Sequence, residues 1–277
     1  MPQPLKQGPG TATINGGTIA CRVRGEGPAL LLIMGLGVPG MGWDKQAYYL
    51  AKDFTTITYD SRGTGGSDPA PPTYTIEDMA CDAIGVLDHL GIRRAHVVGI
   101  SMGGFIAQTI ALDYPDRVDC LVLCSTGFGG PEAVAASEEV LLDLAGVVPH
   151  PPEEQARRRL RINFGDAFIR DHPAECQSFL QGAARMPVHP DTRMNHLLAG
   201  QAFDRSADVG RITAPTLVIA GTDDILIPPE NGRLLAARIP GAKLLLYEGA
   251  GHSFIVERTP DFVRDVRAFV RGEGGSG

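Results

Sequence analysis

The stretch Ala95-His96-Val97-Val98-Gly99-Ile100-Ser101-Met102-Gly103-Gly104 decides the fold. Residues 95–100 are a short apolar run of strand length. Residues 102–114 are helix formers, and Pro115 ends them. Ser101 stands at the junction with a glycine two residues to either side, the pattern G-x-S-x-G. A serine on so tight a strand-to-helix turn presents its hydroxyl, provided small neighbours let the backbones approach. Spacing alone is weak: nine serines and 35 glycines in 277 residues give about 0.14 chance matches. The strand before and the helix after supply the context that the pattern requires.

Outward from this junction, strands and helices alternate, as in a mainly parallel sheet covered on both faces. Segments 12–15 and 19–24, separated by Gly16-Gly17, read as a hairpin. Strands follow at 29–34, 54–59, 118–124, 216–220 and 242–247. Helices fall near 43–52, at 76–90 with a cap at Thr75, near 230–239 and near 260–270. Between 127 and 208 the rhythm breaks. That stretch holds only helical segments, at 132–144, 153–162, 174–184 and 192–203. The chain is therefore expected to divide into a sheet core, 1–126 with 209–277, and a helical cap, 127–208.

A hydrophobic content of 43% with 21% charged residues describes an ordinary globular chain. The net charge of −7 offers no basic surface, so neither nucleic acid nor anionic lipid is an expected partner. The longest apolar run, 29–34, is too short to span a bilayer, and 1–10 lacks the apolar stretch of a secretion signal. Five cysteines, at 21, 81, 120, 124 and 176, match neither a disulfide framework nor a zinc site. Cys120 and Cys124 read as reduced thiols in a buried strand, and a cytoplasmic location is expected. Residues 272–277, Gly-Glu-Gly-Gly-Ser-Gly, read as a flexible tail.

Serine is a weak nucleophile until a base takes its proton. Of seven histidines, His252 alone follows the last strand, in the loop Gly249-Ala250-Gly251-His252-Ser253. His89 and His96 lie at element ends and read as structural. His150, His172, His189 and His196 lie in the insertion and are expected to face solvent or cap helices. An acid to orient His252 should follow a late strand, and Asp223 and Asp224 both follow strand 216–220.

Together with Tyr59-Asp60-Ser61-Arg62-Gly63-Thr64-Gly65-Gly66-Ser67-Asp68 and Ala214-Pro215-Thr216-Leu217-Val218-Ile219-Ala220-Gly221, these features resemble the α/β-hydrolase superfamily over nearly the whole chain. Within it the chain is most similar to small carboxylesterases, 3-oxoadipate enol-lactonases and cofactor-free haloperoxidase/perhydrolases. The resemblance implies the α/β-hydrolase fold with a helical cap and a triad in the chain order Ser, Asp, His. In the family pattern the aspartate follows a glycine by three and precedes a proline by four. Gly221, Asp224 and Pro228 fit, which makes Asp224 the acid and Asp223 a solvated turn residue. The Met102 N–H would be one oxyanion donor. By resemblance the second is the Leu36 N–H, in a loop where many relatives carry histidine and this chain carries Met34. Asp60 and Arg62 are expected to form an ion pair holding their loop. Trp43 fits core packing as well as a place near the pocket.

The expected activity is hydrolysis of small to medium, fairly hydrophobic carboxylic esters or lactones through an acyl-enzyme. Phe164, Phe168, Leu197 and Phe203 either line that pocket or form the cap's own core. No Walker A loop, dinucleotide fingerprint or zinc-binding His-Glu-x-x-His is present, and nothing calls for a metal or organic cofactor. A perhydrolase or carbon–carbon bond hydrolase with the same triad is the enzymatic alternative. A slow-turnover ligand receptor is the alternative from another class.

Overall fold

Side chains along the inner strands alternate between two cores, one on each face of the sheet. Leu31, Ile33, Val97, Leu121, Leu123 and Val218 point into one, and Leu30, Leu32, Val98, Ile100, Val122, Leu217 and Ile219 into the other. Being buried on both faces, these strands read as continuous apolar runs. The computed structural model describes residues 6–273, so residues 1–5 and all but the first two positions of the expected tail at 272–277 lie outside the described residues.

The hairpin is β1 (Gly8–Ile14) and β2 (Gly17–Arg24). Ile14 pairs with Gly17, so the turn residues are Asn15 and Gly16, one position earlier than expected. Both have positive φ, 49° and 74°, as a type I′ turn demands. β1 also starts at Gly8 rather than at residue 12, because an exposed edge strand shows no apolar alternation there. Then come β3 (Ala29–Ile33), α1 (Asp44–Leu50), β4 (Thr55–Tyr59), α2 (Ile76–His89), β5 (Ala95–Ile100), α3 (Met102–Asp113) and β6 (Val118–Cys124). Thr75 and Asp78 form a reciprocal capping box at the start of α2.

Five helices separate β6 from the next strand: α4 (Glu138–Ala145), α5 (Pro152–Asn163), α6 (Asp166–Asp171), α7 (Pro173–Arg185) and α8 (Pro190–Ala202). The first begins at Glu138 instead of residue 132. Asn231 explains the difference: its side chain accepts the Val134 N–H at 2.9 Å and donates to the Val134 carbonyl at 2.8 Å. That double bond pattern holds the chain extended until Ser137 caps α4. The core resumes with β7 (Thr216–Gly221), α9 (Pro229–Arg238), β8 (Lys243–Tyr247), α10 (Phe254–Glu257) and α11 (Thr259–Val270).

The eight strands run in the order β1-β2-β4-β3-β5-β6-β7-β8. β2 is antiparallel to both neighbours, and every pair from β4 onward is parallel. Helices α2, α3 and α9 cover one face, while α1 and α11 cover the other. Trp43 is fully buried in the second core and stacks on Phe262 at 5.7 Å, so core packing accounts for it. Among the described residues no helix is long and apolar enough to cross a membrane. All five cysteines are free thiols, and burial raises the pKa of Cys124.

Candidate active site

Ser101 joins β5 to α3 with φ 56° and ψ −125°, a backbone region that residues other than glycine seldom occupy. Such strain costs about 1–3 kcal/mol and survives only where neighbours over-determine it. They do so here. The Ser101 N–H donates to the Cys124 carbonyl at 2.9 Å. Its own carbonyl accepts from the Gly104 N–H at 2.8 Å and from Thr126 Oγ1 at 2.9 Å. The two motif glycines follow from the same packing. A Cβ on Gly99 would overlap the Gly103 carbonyl oxygen, and one on Gly103 would overlap that of Ile33. The elbow thus needs glycine at both places for steric reasons alone.

Asp224 and His252 emerge from the loops after β7 and β8. The Nδ1–H of His252 donates to Asp224 Oδ2 at 2.8 Å, and the aspartate side chain has no exposed surface. Its other oxygen, Oδ1, accepts the N–H groups of Leu226 at 2.9 Å and Ile227 at 2.8 Å. An ionised carboxylate can only accept, so the imidazole carries its proton on Nδ1 and leaves the Nε2 lone pair free. Asp223 is exposed: its N–H donates to the Ala250 carbonyl and its carboxylate meets Thr222 Oγ1.

Further residues fix this edge of the sheet. Ser125 Oγ donates to the His252 carbonyl at 2.9 Å, so Ser125 and Thr126, adjacent in sequence, hold the backbones of His252 and Ser101 respectively. Glu257 Oε1 accepts the Gly251 N–H at 2.8 Å and the Gly165 N–H at 3.2 Å, and burial raises the pKa of this carboxyl. The end of α5 reinforces that tie. Asn163 accepts from the Ser253 N–H at 2.7 Å and from Ser253 Oγ at 2.8 Å.

Beside Ser101 runs the turn Gly35-Leu36-Gly37-Val38, closed by the Val38 N–H on the Gly35 carbonyl at 3.2 Å. Gly37, third in the turn, has φ 68°, as a type II turn requires. A Cβ on Gly35 would lie 3.1 Å from Ser101 Cβ and 3.5 Å from its Oγ. Neither the Leu36 nor the Met102 N–H is donated to a turn, loop or cap acceptor among the described residues. Met102 is also the first residue of α3, where unpaired N–H groups and the helix dipole favour negative charge. His196, another of these residues, comes from α8. Its Nδ1 accepts the Gly37 N–H at 3.2 Å.

Several expectations are corrected here. His196 is neither solvent-facing nor a cap; it is fully buried. Arg62 pairs with buried Asp82, at 2.7 and 3.0 Å, and not with Asp60. The Asp60 carboxylate instead accepts the N–H groups of Gly40 at 2.7 Å and Gly66 at 2.9 Å. Phe164 packs with Phe168 and Phe179, and Phe203 stacks on Phe105 at 4.4 Å, so these aromatics form packing clusters. Ser125 and Thr126 carried a usable signal, two hydroxyls directly after the strand beside the elbow. His196 and Glu257 carried none, since their partners are distant in sequence or lie on backbone. Among the described residues no cluster of three or more His, Cys, Asp or Glu could hold a metal ion.

The family described as the alpha/beta hydrolase fold matches residues 28–259. RutD of Pseudomonas syringae pv. syringae, provisionally named a carbamate hydrolase, is 31% identical over 91% of this chain and 96% of its own. The solved enol-lactonase from Burkholderia xenovorans LB400 is 29% identical, with a TM-score of 0.81 over 95% of this chain and all of that one. A thermophilic esterase from Thermogutta terrifontis is 26% identical, with a TM-score of 0.82 over 96% of this chain and 98% of its own.

Proposed function

This chain belongs to the α/β-hydrolase family, and on that premise we propose that it is a serine hydrolase of small to medium, fairly hydrophobic carboxylic esters or lactones. The single observation that carries the reading is the buried Asp224–His252 bond, which lies at the same edge of the sheet as the Ser101 elbow. Ser101 Oγ attacks the carbonyl carbon while His252 Nε2 takes its proton. The tetrahedral oxygen is held by the N–H groups of Leu36 and Met102, aligned before the reaction begins. His252 then protonates the leaving alkoxide, leaving Ser101 acylated. A water, deprotonated by the same imidazole, cleaves the acyl-enzyme and restores the serine. Asp224 keeps the ring oriented and stabilises the imidazolium each time it forms. No step calls for a cofactor or metal.

Helices α4–α8 form the cap over this site in the proposal. Two ties support it, Asn163 to Ser253 and His196 to Gly37. Five free thiols support a reducing, cytoplasmic setting. A carbamate is the second reading, favoured by the name of the RutD relative, since the same machinery attacks a carbamate carbonyl. A panel of nitrophenyl esters of graded acyl length, aliphatic lactones and alkyl carbamates separates the two. The proposal expects kcat/KM for the best ester or lactone at least tenfold above that for any carbamate. Faster carbamate turnover would overturn the ester assignment and leave the serine chemistry intact. Turnover confined to a single slow cycle, with a large thermal shift on binding, would instead mark a receptor.

A further inference from the structure

Resting on the serine-hydrolase reading above, we propose that His196 is a positioning residue that locks the oxyanion turn from the cap side. The bond runs between residues 159 positions apart: the Gly37 N–H donates to His196 Nδ1 at 3.2 Å. The other ring nitrogen, Nε2, lies 3.3 Å from the Arg62 carbonyl. A carbonyl only accepts, so Nε2 carries the hydrogen and Nδ1 the lone pair. One neutral tautomer satisfies both contacts, and protonation of the ring removes the acceptor that Gly37 needs. Burial depresses the imidazole pKa, which keeps the ring in that neutral form. Tyr74 faces it with ring centres 6.3 Å apart. The guanidinium of Arg62 is turned to Asp82, so that charge is spent within its own pair.

The place of this bond gives it its role. In the Gly35–Val38 turn the first peptide has its carbonyl fixed by the Val38 N–H. Because N–H and C=O of a trans peptide point in opposite directions, the Leu36 N–H is left facing away from that bond. The central peptide, Leu36 to Gly37, is the one that flips when a type II turn becomes type I. Glycine at Gly37 places no steric barrier in the way of that flip. The bond to His196 restrains that central peptide and, through the Leu36 Cα that it shares with the first peptide, steadies the Leu36 N–H as well. Val188 and Thr192, N-terminal to His196, pack on Gly37 and Gly63, so the imidazole is held to the turn by its own surroundings. An imidazole from α8 thus reaches the turn that carries the Leu36 N–H.

Two substitutions divide the ring's two bonds. In His196→Asn the amide oxygen takes the place of Nδ1 and accepts from Gly37, while the Arg62 contact is lost. In His196→Gln the amide nitrogen takes the place of Nε2 and the Gly37 contact is lost. The proposal expects kcat on a nitrophenyl ester to fall about 10- to 100-fold in His196→Gln, with KM within about threefold. Removing one oxyanion donor outright costs roughly 10²–10³, which sets the ceiling. His196→Asn should recover kcat to within about threefold of wild type, although each variant forfeits one bond and melts at a similar temperature. Equal kcat in both variants, whether reduced or intact, overturns the proposal, because a purely structural role would not rank them. Ser101→Ala measured alongside separates the layers: if it is inactive, such a result refutes His196 alone, and if it is active the serine reading falls too. Imidazole ¹⁵N shifts of the wild-type protein provide a test that needs no variant. An Nε2–H tautomer at His196 is expected, and an Nδ1–H tautomer overturns the assignment.

Discussion

Replacing Asp224 with asparagine is a sharper perturbation here than at an ordinary carboxylate, because the structure dictates which way the amide must lie. Asp224 Oδ1 accepts two backbone N–H groups, from Leu226 and Ile227, at 2.9 and 2.8 Å. In Asp224→Asn the amide oxygen must stay there, since an NH₂ group would face two donors. The NH₂ is therefore forced onto the Oδ2 position, 2.8 Å from His252 Nδ1. Nδ1 must then accept, the proton moves to Nε2, and that nitrogen loses the lone pair with which, in the proposed mechanism, it takes the Ser101 proton. The expected loss in kcat is on the order of 10³ to 10⁴, or about 4 to 5.5 kcal/mol in the barrier. Stability should change little, because shape and both backbone bonds are kept. Asp223→Asn, at an exposed carboxylate away from His252, should cost less than about tenfold. The assay is kcat on a nitrophenyl ester, normalised to active sites and paired with thermal melts. If Asp223→Asn carries the large loss, or Asp224→Asn keeps kcat within tenfold of wild type, the orientation argument is wrong.

Two further outcomes follow from packing and charge. Gly103→Ala would press a methyl group into the Ile33 carbonyl oxygen, so soluble yield should collapse, or the melting temperature fall by more than about 10 °C. A folded Gly103→Ala with wild-type melting would refute the steric account of the motif. Glu257, whose folded pKa is raised by burial, binds its proton more tightly in the native state than in the unfolded chain. Its contribution to stability is therefore greatest below the unfolded value near ~4.3 and is lost as pH rises through the folded pKa. The stability of wild type relative to Glu257→Gln, read from melts between pH 4 and 8, should decline with rising pH and then level off. A difference that grows with pH would contradict this.

The parts that were legible in the sequence are those governed by local rules. Strands buried on both faces announce themselves as apolar runs, and the Thr75 cap needs only a residue three positions on. Only the resemblance sets Asp224 apart from Asp223, by its spacing to Gly221 and Pro228, and in the structure it is Asp224 that bonds His252. Gly221 itself has no room for a Cβ against Ala250. What sequence could not give depends on distant partners. The start of α4 is set by Asn231, nearly a hundred residues later. His196 looks like a surface histidine until the turn at Gly37 is brought to it, and Glu257 is one acid among many until its burial and two N–H partners are seen. The pairing of Arg62 with Asp82 instead of Asp60 has the same origin. Asp60 lies closer in sequence, but the backbone N–H groups of Gly40 and Gly66 already occupy it.

The central claim is that Ser101 is the nucleophile. Fluorophosphonate labelling followed by peptide mapping tests it most directly, because the reagent bonds to an activated nucleophile and the mapping shows which residue that is. One adduct per chain on Ser101 is expected, absent from folded Ser101→Ala, together with a loss of ester turnover on the order of 10⁴-fold or more. Labelling of another residue, or a correctly folded Ser101→Ala that keeps most of its turnover, would contradict the account.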